Sequence, residues 1–558
     1  MDILILGGAV LIGAYLALTP LTMLLYGSFQ KDFLVGERQW TFTHYIEAYS
    51  DPEFYSLLLN SIVYALGVSL VTFLIGTALA WVCERTNTPG RKTFTLLAIA
   101  TYIIPGVLLT ISWILLLSPR IGLLNNLLTS LFGLTQSPLT IYSHWGMIWA
   151  ASVHLYPLNF LTMSAAFRSM DSSLEEAAWA AGASHFTCLR QITLKILRPA
   201  LLSTILILFI RGIESFEVPA LIGIPARIFV FTTKIYEAAS GFPPELGLAG
   251  ANASILLLIS VVGVFLYQNM TAHTESFTTI TGKGFRPRII DLGKWKYLCS
   301  AACVLFFVFT LGLPVLALLA TSLSRHMVAL NSEALKNFSL EEYRFVLRYP
   351  IITRAFRNSV VLAFSSATVV MLLTSIIAWI TVRTKIPGKW MLDAVTFIPI
   401  AIPGVIMGVS MIFVYLTFPI PIYGTLWILL VAYVTLNLPY GIRVASATMV
   451  QIHKELEEAS TASGASWTQT FFRVVLPLLL PGFLSGWIYV AILSLRELSA
   501  SIFLVGQGTE VLSTVVFGLW DGGSISSVAA LGVLMTLFLI VVALIVQAWQ
   551  RRLGILRE

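Results

Sequence analysis

Charged side chains are scarce in this chain. Of its 558 residues, 11% are Asp, Glu, Lys or Arg, against roughly 25% in soluble domains. Hydrophobic residues make up 57%, and no polar stretch is long enough to form a separate binding or catalytic domain. This composition excludes an ordinary soluble enzyme and indicates a polytopic membrane protein.

Other signatures are missing as well. No Gly-x-x-x-x-Gly-Lys-Ser/Thr phosphate-binding loop occurs, so we expect the chain itself to bind neither ATP nor another cofactor. The cysteines have no metal-ligand spacing and lie in or beside apolar segments, which favours a packing role. Since no nucleophile–base or metal-ligand constellation is recognisable, a membrane-embedded enzyme is a remote alternative.

Apolar runs that could cross a hydrocarbon core of about 30 Å recur along the whole chain. We interpret the first run as a helix and not as a signal peptide, because only Asp2 precedes it and its apolar stretch is long. We therefore predict an all-α protein with twelve transmembrane helices. The predicted spans are 3–27, 57–82, 94–118, 145–167, 197–221, 246–268, 297–322, 358–381, 391–416, 422–445, 476–503 and 529–549.

Basic residues predict the orientation of these spans. With the N-terminus in the cytoplasm, 21 of the 34 Lys and Arg fall in cytoplasmic segments and 11 in external ones, although the external loops near 28–56 and 324–356 are long. Positive charge is enriched on the cytoplasmic side of membrane proteins. Both termini are thus predicted to be cytoplasmic, and the net charge of +7 reports topology, not nucleic-acid binding.

The chain contains an internal repeat. Asn60-Ser61 matches Asn358-Ser359, and Pro105-Gly106 matches Pro403-Gly404, in both cases 298 residues apart. Further along, the offset falls to 282 because the loop near 119–143 is longer than its counterpart. This self-similarity over most of the chain predicts two copies of one structural unit.

Each copy holds six predicted spans. Because six is even, both copies enter the membrane from the same side, and we expect a pseudo-two-fold axis along the membrane normal. We place the first half at 1–283 and the second at 284–558, joined by a cytoplasmic stretch near 271–296 that is rich in Thr, Gly and basic residues. One chain is thus predicted to do the work of a dimer.

Two polar helical segments between apolar runs are the strongest functional signal. Glu176-Ala-Ala-Trp-Ala-Ala-Gly182 and Glu458-Ala-Ser-Thr-Ala-Ser-Gly464 lie 282 residues apart. We predict short helices near 172–187 and 454–469, on the same side of the membrane, with small residues that let another protein approach closely. A single Ala-rich loop is common, but a pair at equivalent positions indicates contact with a two-fold partner.

These segments resemble the EAA loop of permease subunits of ATP-binding-cassette (ABC) importers, which reads Glu-Ala-Ala, three residues, Gly, nine residues and Ile-x-Leu-Pro. The second copy follows the pattern through Pro477, whereas Lys195 replaces the proline in the first. The resemblance implies a type I importer permease with two coupling helices. The residues it implies for ATPase coupling are Glu175, Glu176, Ala177, Ala178, Gly182, Glu457, Glu458, Ala459 and Gly464.

The same resemblance implies the partners. Two copies of an ABC ATPase subunit, which carry the ATP and magnesium, would grip the cytoplasmic face, and a periplasmic or lipid-anchored binding protein would deliver the substrate. Membrane lipids surround the chain, and no nucleic acid is expected. We therefore predict a multi-pass protein of the bacterial inner membrane.

The substrate is also suggested by resemblance. Fused double permeases of this size resemble ferric iron permeases of bacterial periplasmic-binding-protein systems, and Leu495–Ser501 resembles an Arg-Glu-Leu segment that those permeases carry. Ferric iron is the implied cargo, with thiamine, 2-aminoethylphosphonate, polyamine or sulfate as alternatives. An ion-coupled secondary transporter is the alternative from another class, and the duplicated coupling helix argues against it.

Ionisable residues inside the predicted spans bear on the same question. Arg211, Glu214 and Glu217 are assigned to span five, and Arg496 and Glu497 to the equivalent part of span eleven. Such groups are costly in a membrane unless they pair or face a water-filled path. We expect Glu214 and Glu217 on one helical face, with Arg211 able to form a local ion pair.

Two interpretations of these charges stay open. The three carboxylates could line the translocation path and attract a hard cation through oxygen ligands. Alternatively, the charges form ion pairs that lock gate helices between the halves. Glu214, Glu217 and Glu497 are the only candidates for metal contact, and no tight site is expected because a conduit must release its cargo.

Polar residues at matching depth in spans four and ten have two possible roles. Hydrogen bonding between helices is the favoured interpretation, and substrate contact is the alternative. The residues are His154, Tyr156, Asn159, Asn437 and Tyr440.

Overall fold

The computed structural model describes residues 2–31, 33, 39–170, 173–272, 289–324, 338–384, 386–418 and 420–552. This part of the chain is helical almost throughout. Its β structure is limited to two isolated bridges, one between Gln30 and Trp40 and one between Thr86 and Ile290. The prediction of an all-α protein is confirmed.

The first half consists of long apolar helices joined by short polar ones. A π-helical turn at Leu189–Thr193 leads into its fifth span, and another at Pro219–Gly223 follows that span. The α-helices are α1 (Asp2–Ser28), α2 (Thr43–Ser50), α3 (Glu53–Arg85), α4 (Arg91–Ile103), α5 (Gly106–Leu117), α6 (Leu123–Phe132), α7 (His144–Arg168), α8 (Ser173–Ala180), α9 (His185–Cys188), α10 (Leu194–Glu214), α11 (Phe231–Ser240) and α12 (Leu246–Ala272).

The second half repeats this order, with α6 belonging to the longer loop of the first half. A π-helical turn at Phe471–Val475 stands where Leu189–Thr193 stands in the first copy. The α-helices are α13 (Trp295–Phe307), α14 (Leu313–Ser322), α15 (Glu341–Arg348), α16 (Pro350–Arg383), α17 (Trp390–Phe397), α18 (Gly404–Thr417), α19 (Leu426–Gln451), α20 (Glu455–Ala462), α21 (Trp467–Thr470), α22 (Leu476–Leu495), α23 (Ser501–Leu504), α24 (Leu512–Asp521) and α25 (Ile525–Arg552).

The predicted spans are recovered as helical segments. Within the described ranges, nine helices are long and apolar enough to cross a membrane, and two bent helix pairs raise the number of spans to eleven. The twelfth corresponds to α7, whose 25 residues extend about 37 Å. Helix α7 packs along α3 as α19 packs along α16. The fold is therefore two six-span repeats.

Two of the predicted spans, 94–118 and 391–416, are bent. Helices α4 and α5 meet at 99°, and the corresponding break in the second half has an angle of 109°. The bends lie at Pro105-Gly106 and Pro403-Gly404. Proline lacks the backbone N–H that an α-helix needs and disfavours helical geometry at the residue before it, so the repeated Pro-Gly pair explains both bends.

Two further spans end earlier than predicted. Instead of reaching residue 221, α10 ends at Glu214, and instead of reaching residue 503, α22 ends at Leu495. Non-helical backbone is tolerated at membrane depth when its polar groups are satisfied inside the protein. Hydroxyl groups of α11 and α24 do this, with Thr232 Oγ1 donating to the Ser215 carbonyl at 2.8 Å and Ser513 Oγ donating to the Glu497 carbonyl at 2.5 Å.

Helices of each half pack against helices of the other half. Helix α1 of the first half packs on α17 and α18 of the second, and α14 of the second half packs on α5 of the first. One hydrophobic core contains side chains from both halves. The predicted junction between residues 283 and 284 lies outside the described residues, and the exact division stays a prediction.

Candidate functional site

A cavity of ≈ 240 Å³ lies between the halves. Its walls include both glycines of the bent spans, Gly106 and Gly404, and residues at the breaks after α10 and α22. The charged residues singled out from the sequence all line it. They are Arg211, Glu214, Glu217, Arg496 and Glu497.

Arg211 connects the two halves. Its Nη1 lies 3.1 Å from Glu214 Oε2 in the last turn of α10, so the predicted local ion pair is confirmed. Its Nη2 donates to the hydroxyl of Tyr440 on α19, in the other half. The carboxylate of Glu214 is thus compensated within its own helix, while the guanidinium group also links the halves.

The expected placement of Glu217 on one helical face with Glu214 is wrong. Because α10 ends at Glu214 and Ser215 is extended (φ −62°, ψ 129°), Glu217 lies beyond the break. Its carboxylate approaches the bend of the third span so closely that a Cβ atom on Gly106 would clash with Oε2. Gly106 therefore has a steric role that its appearance as a repeat marker did not suggest.

Arg496 and Glu497 turn to different partners. Arg496 Nη1 donates to the Tyr102 carbonyl of the first half at 2.7 Å, and its guanidinium carbon lies 4.4 Å from the centroid of the Tyr102 ring. Glu497 Oε1 accepts from the Ala500 backbone N–H at 2.6 Å. Each half thus sends one arginine to a tyrosine of the other half.

The charged residues of the cavity are not repeated at equivalent positions in the two halves. At the offset of 282, Glu214 corresponds to Arg496, and Glu217 corresponds to Ser499. Glu497, in turn, corresponds to Ser215. Three carboxylates and two guanidinium groups therefore surround a cavity whose scaffold is nearly symmetric but whose charge distribution is not.

The candidate metal ligands do not form a metal site. Among the described residues, no group of three or more His, Cys, Asp or Glu side chains could hold a metal ion. Glu214 pairs with Arg211, and Glu217 and Glu497 lie at separate breaks.

Most of the polar residues of spans four and ten bond within the protein, as the favoured interpretation expected. Tyr156 donates to Thr101 Oγ1 at 2.9 Å, and Asn159 Nδ2 donates to the Phe73 carbonyl at 2.8 Å. Asn437 Nδ2 donates both to the Tyr433 carbonyl of its own helix, at 2.8 Å, and to Ser494 Oγ on α22, at 3.4 Å. His154, Asn437 and Tyr440 also line the cavity. Tyr102 was not singled out, since one tyrosine in an apolar run carries no distinguishing signal.

The two predicted coupling segments have the same local structure. Helix α8 is followed by Gly182 at φ 86°, and α20 is followed by Gly464 at φ 84°. Left-handed geometry favours glycine after a helix. A Cβ atom would meet nothing within 4 Å at either glycine, so the backbone conformation and not crowding requires it. Glu176, Ala177, Glu458 and Ala459 are exposed, and Ala178 is half-buried.

Two of the predicted coupling residues point back into the permease. Glu175 is buried and forms an ion pair with Arg85, the last residue of α3. Glu457 Oε1 lies 2.9 Å from Nε of Arg383, the last residue of α16. In the buried Arg85–Glu175 pair, removing one partner would strand the other charge, at a cost of about 3–5 kcal/mol; the Arg383–Glu457 pair is partly buried. These carboxylates contact spans of their own half.

The paired six-span halves, the inter-half cavity and the two matching surface helices define a membrane transport permease. The sequence profile described as "Binding-protein-dependent transport system inner membrane component" matches residues 56–276 and 370–554, once in each half. The chain belongs to this family, as a fused double permease. It is a multi-pass inner-membrane protein and a transport subunit of an ABC system.

Known relatives fall into full-length and half-length matches. The chain is 28% identical over 493 residues to the ferric transport system permease protein FbpB of Actinobacillus pleuropneumoniae, covering 87% of this chain and 70% of that protein. It is 27% identical over 242 residues to the spermidine/putrescine permease PotC of Haemophilus influenzae, covering 43% of this chain and 92% of that protein. Among solved structures, a bacterial alginate ABC importer matches 46% of this chain and 96% of its own, at 17% identity and a TM-score of 0.38.

Proposed function

We propose that the chain is the permease of an ABC importer for ferric iron. Two copies of an ATPase, which bind ATP and magnesium, would dock at α8 and α20. A periplasmic or lipid-anchored binding protein would deliver iron at the opposite face. ATP-driven closure of the ATPases would rock the halves and expose the cavity to each side in turn.

The observation that carries the substrate is the similarity to FbpB through both halves, over 87% of this chain. The match to PotC, whose name refers to polyamines, covers only 43%. Both names refer to cationic cargo, which agrees with three carboxylates in the cavity. Ferric iron is the cargo favoured by the longer match.

We further propose that Glu217 and Glu497 attract the cation and that Arg211 and Arg496 hold the halves together at the cavity. Support comes from their contacts: both arginines reach tyrosines of the other half, whereas the ion pair of Glu214 stays within α10. The guanidinium–tyrosine contacts, not carboxylate pairs, would then lock the gate. Direct ATPase contact is proposed for the exposed residues of α8 and α20.

The orientation is proposed from the basic residues. Cytoplasmic N- and C-termini would place the ends of α3 and α16, with α8 and α20, at the cytoplasmic face. The long loops near 28–56 and 324–356 would then meet the binding protein. Labelling of a single cysteine at position 285 from outside intact cells would contradict this orientation.

Transport by the reconstituted complex tests the function. The permease, its ATPase and binding protein loaded with radioactive Fe(III) are placed in liposomes, and we expect iron uptake that requires ATP and the binding protein. The control is an ATPase variant that binds ATP without hydrolysing it. Uptake driven by a proton gradient without ATP would support a secondary transporter. Transport of spermidine or sulfate, but not iron, would reject the substrate assignment.

A further inference from the structure

Helices α3 and α16 are the longest helices described in their respective halves. They have 33 and 34 residues, or about 50 Å at 1.5 Å per residue. Each packs along two neighbours of its half, α3 on α7 and α10, and α16 on α19 and α22. A helix so supported transmits displacement along its axis, provided that both of its ends are held.

One end of each helix is held by a carboxylate of the coupling segment, which is buried in the first half and partly buried in the second. The Glu175 carboxylate binds Arg85 and also accepts from Thr193 Oγ1 at 2.6 Å. The Glu457 carboxylate pairs with Arg383 and also accepts from Trp379 Nε1 at 3.0 Å. The neutral donor, Thr193 or Trp379, differs between the two halves. The ion pair is repeated: the two arginines lie 298 residues apart and the two glutamates 282 residues apart, as the internal repeat requires.

Near its other end, each helix is hydrogen-bonded to the segment that follows the break after α10 in the first half or after α22 in the second. In the first half, Asn60 Nδ2 donates to the Phe229 carbonyl at 3.2 Å, and Ser61 Oγ accepts from the Phe231 N–H at 3.0 Å. The second half repeats this arrangement. Asn358 Nδ2 donates to the Glu510 carbonyl at 3.0 Å, and Ser359 Oγ accepts from the Leu512 N–H at 2.8 Å.

We propose that Glu175 and Glu457 are positioning residues that transmit ATP-driven movement of the coupling helices to α3 and α16, and through them to the segments that close the cavity. This inference rests on the proposed ABC function. The proposal assigns different roles to the two adjacent glutamates of each coupling segment. Glu176 and Glu458 are exposed, whereas Glu175 and Glu457 pair with arginines of their own half.

The test uses the complete transporter of permease, ATPase and binding protein in lipid nanodiscs. The variants are Glu175→Gln, Glu457→Gln and the double variant, with Glu176→Gln and Glu458→Gln as matched controls one position away. Glutamine keeps the side-chain shape but removes the charge. Three quantities are measured: ATPase co-purification with the permease, stimulation of ATP hydrolysis by binding protein, and iron imported per ATP in liposomes.

For Glu175→Gln and Glu457→Gln we expect unchanged ATPase co-purification. Stimulation by binding protein and iron per ATP should each fall about tenfold, which is within the usual range of coupling between two sites. The controls should instead weaken co-purification. Equal loss of co-purification in both sets would show that Glu175 and Glu457 dock the ATPase directly. Normal stimulation in the double variant would show that the pairs transmit nothing.

Milder variants cover the case in which loss of the charge prevents folding. Thr193→Val and Trp379→Phe remove only the neutral donor and leave the ion pair, and we expect stimulation to fall about threefold. Full stimulation in both would overturn the proposal. If the wild-type permease recruits no ATPase, the proposed function fails. If it recruits the ATPase but moves a different cargo, stimulation still tests the transmission role.

Discussion

The two halves are alike where they meet α8 and α20 and unlike where they meet the cavity. Arg85–Glu175 and Arg383–Glu457 are repeat-equivalent pairs, and Gly182 and Gly464 have nearly the same φ. At the cavity, by contrast, the position of a carboxylate in one half is taken by a serine or an arginine in the other. The symmetric surface would suit the two identical ATPase subunits proposed above, whereas the proposed passage of a single cation requires no symmetric surroundings.

The halves also differ outside the cavity. In the second half, Arg354 and Glu510 form a bidentate ion pair, with Nε to Oε2 at 2.8 Å and Nη2 to Oε1 at 2.9 Å. Hydrogen bonding to Arg354 lowers the pKa of Glu510 to about 2. In the first half, Ser56 stands at the position of Arg354, and Phe229, whose carbonyl accepts from Asn60 as that of Glu510 accepts from Asn358, stands at the position of Glu510; these two residues cannot form such a pair. The duplicated scaffold therefore tolerates divergence at this site, as it does at the cavity.

Gly182→Val and Gly464→Val test whether the two coupling segments contribute equally, and they have the largest expected effect. A left-handed residue with a side chain costs about 1–2 kcal/mol, and a β-branched one is more strained. To relieve this backbone strain, the adjacent coupling helix would have to change its orientation. We expect each variant to reduce ATP-dependent iron uptake by about tenfold or more, to a similar degree, while the permease still inserts. Uptake in liposomes and membrane expression are measured together.

Gly133→Val is the matched control. Gly133 has φ 61°, ends α6 in the first half, and leaves a Cβ atom with no neighbour within 4 Å. It imposes similar backbone strain away from the coupling segments, and uptake should stay normal. Normal uptake and ATPase stimulation in both coupling variants would remove these loops from the coupling mechanism.

Features that depend on residues close together in the sequence could be predicted, whereas contacts between distant residues could not. Spans and repeats depend on local hydropathy and on matching motifs, so both were recovered. The break directly after Glu214 was missed because it is stabilised by Thr232, a residue of α11, although Pro219 was a local signal against a helix that reaches residue 221. The buried partner of Glu175 lies 90 residues away, although the matching positions of Arg85 and Arg383 in the repeat were a usable signal.

The asymmetric charges of the cavity can be tested by moving one carboxylate across the repeat. Glu217→Gln and Glu497→Gln should each slow iron uptake about fivefold, since charge is lost while shape and hydrogen bonding are kept, a change of ~1 kcal/mol in the barrier. The double variant Glu217→Ser with Ser499→Glu restores one carboxylate at the equivalent position of the other half. If only the total charge matters, uptake should recover, and the comparison is made as initial rates in liposomes.

Glu237→Gln is the control for this series, because Glu237 is 52% exposed and pairs with Lys234 outside the cavity lining. Unchanged uptake in the Glu217→Gln/Glu497→Gln double variant would remove these carboxylates from the mechanism. Loss of folded protein would instead favour a structural role. Preference of the binding protein for an anion would turn attention to Arg211 and Arg496.

The smallest expected effect compares the two arginine–tyrosine contacts between the halves. Tyr440→Phe removes the hydroxyl that accepts from Arg211, whereas Tyr102→Phe keeps the carbonyl and the ring that Arg496 contacts. Hydrogen bonds between membrane helices average ≈ 0.6 kcal/mol, which corresponds to about threefold in an equilibrium. If these contacts hold the resting state, Tyr440→Phe should raise ATP hydrolysis without binding protein by about that factor, and Tyr102→Phe should change it less. Replacing Tyr102 by leucine, which removes the ring, should approach the Tyr440→Phe value. Equal basal hydrolysis in all three variants and the wild type would show that the arginines do not restrain the halves.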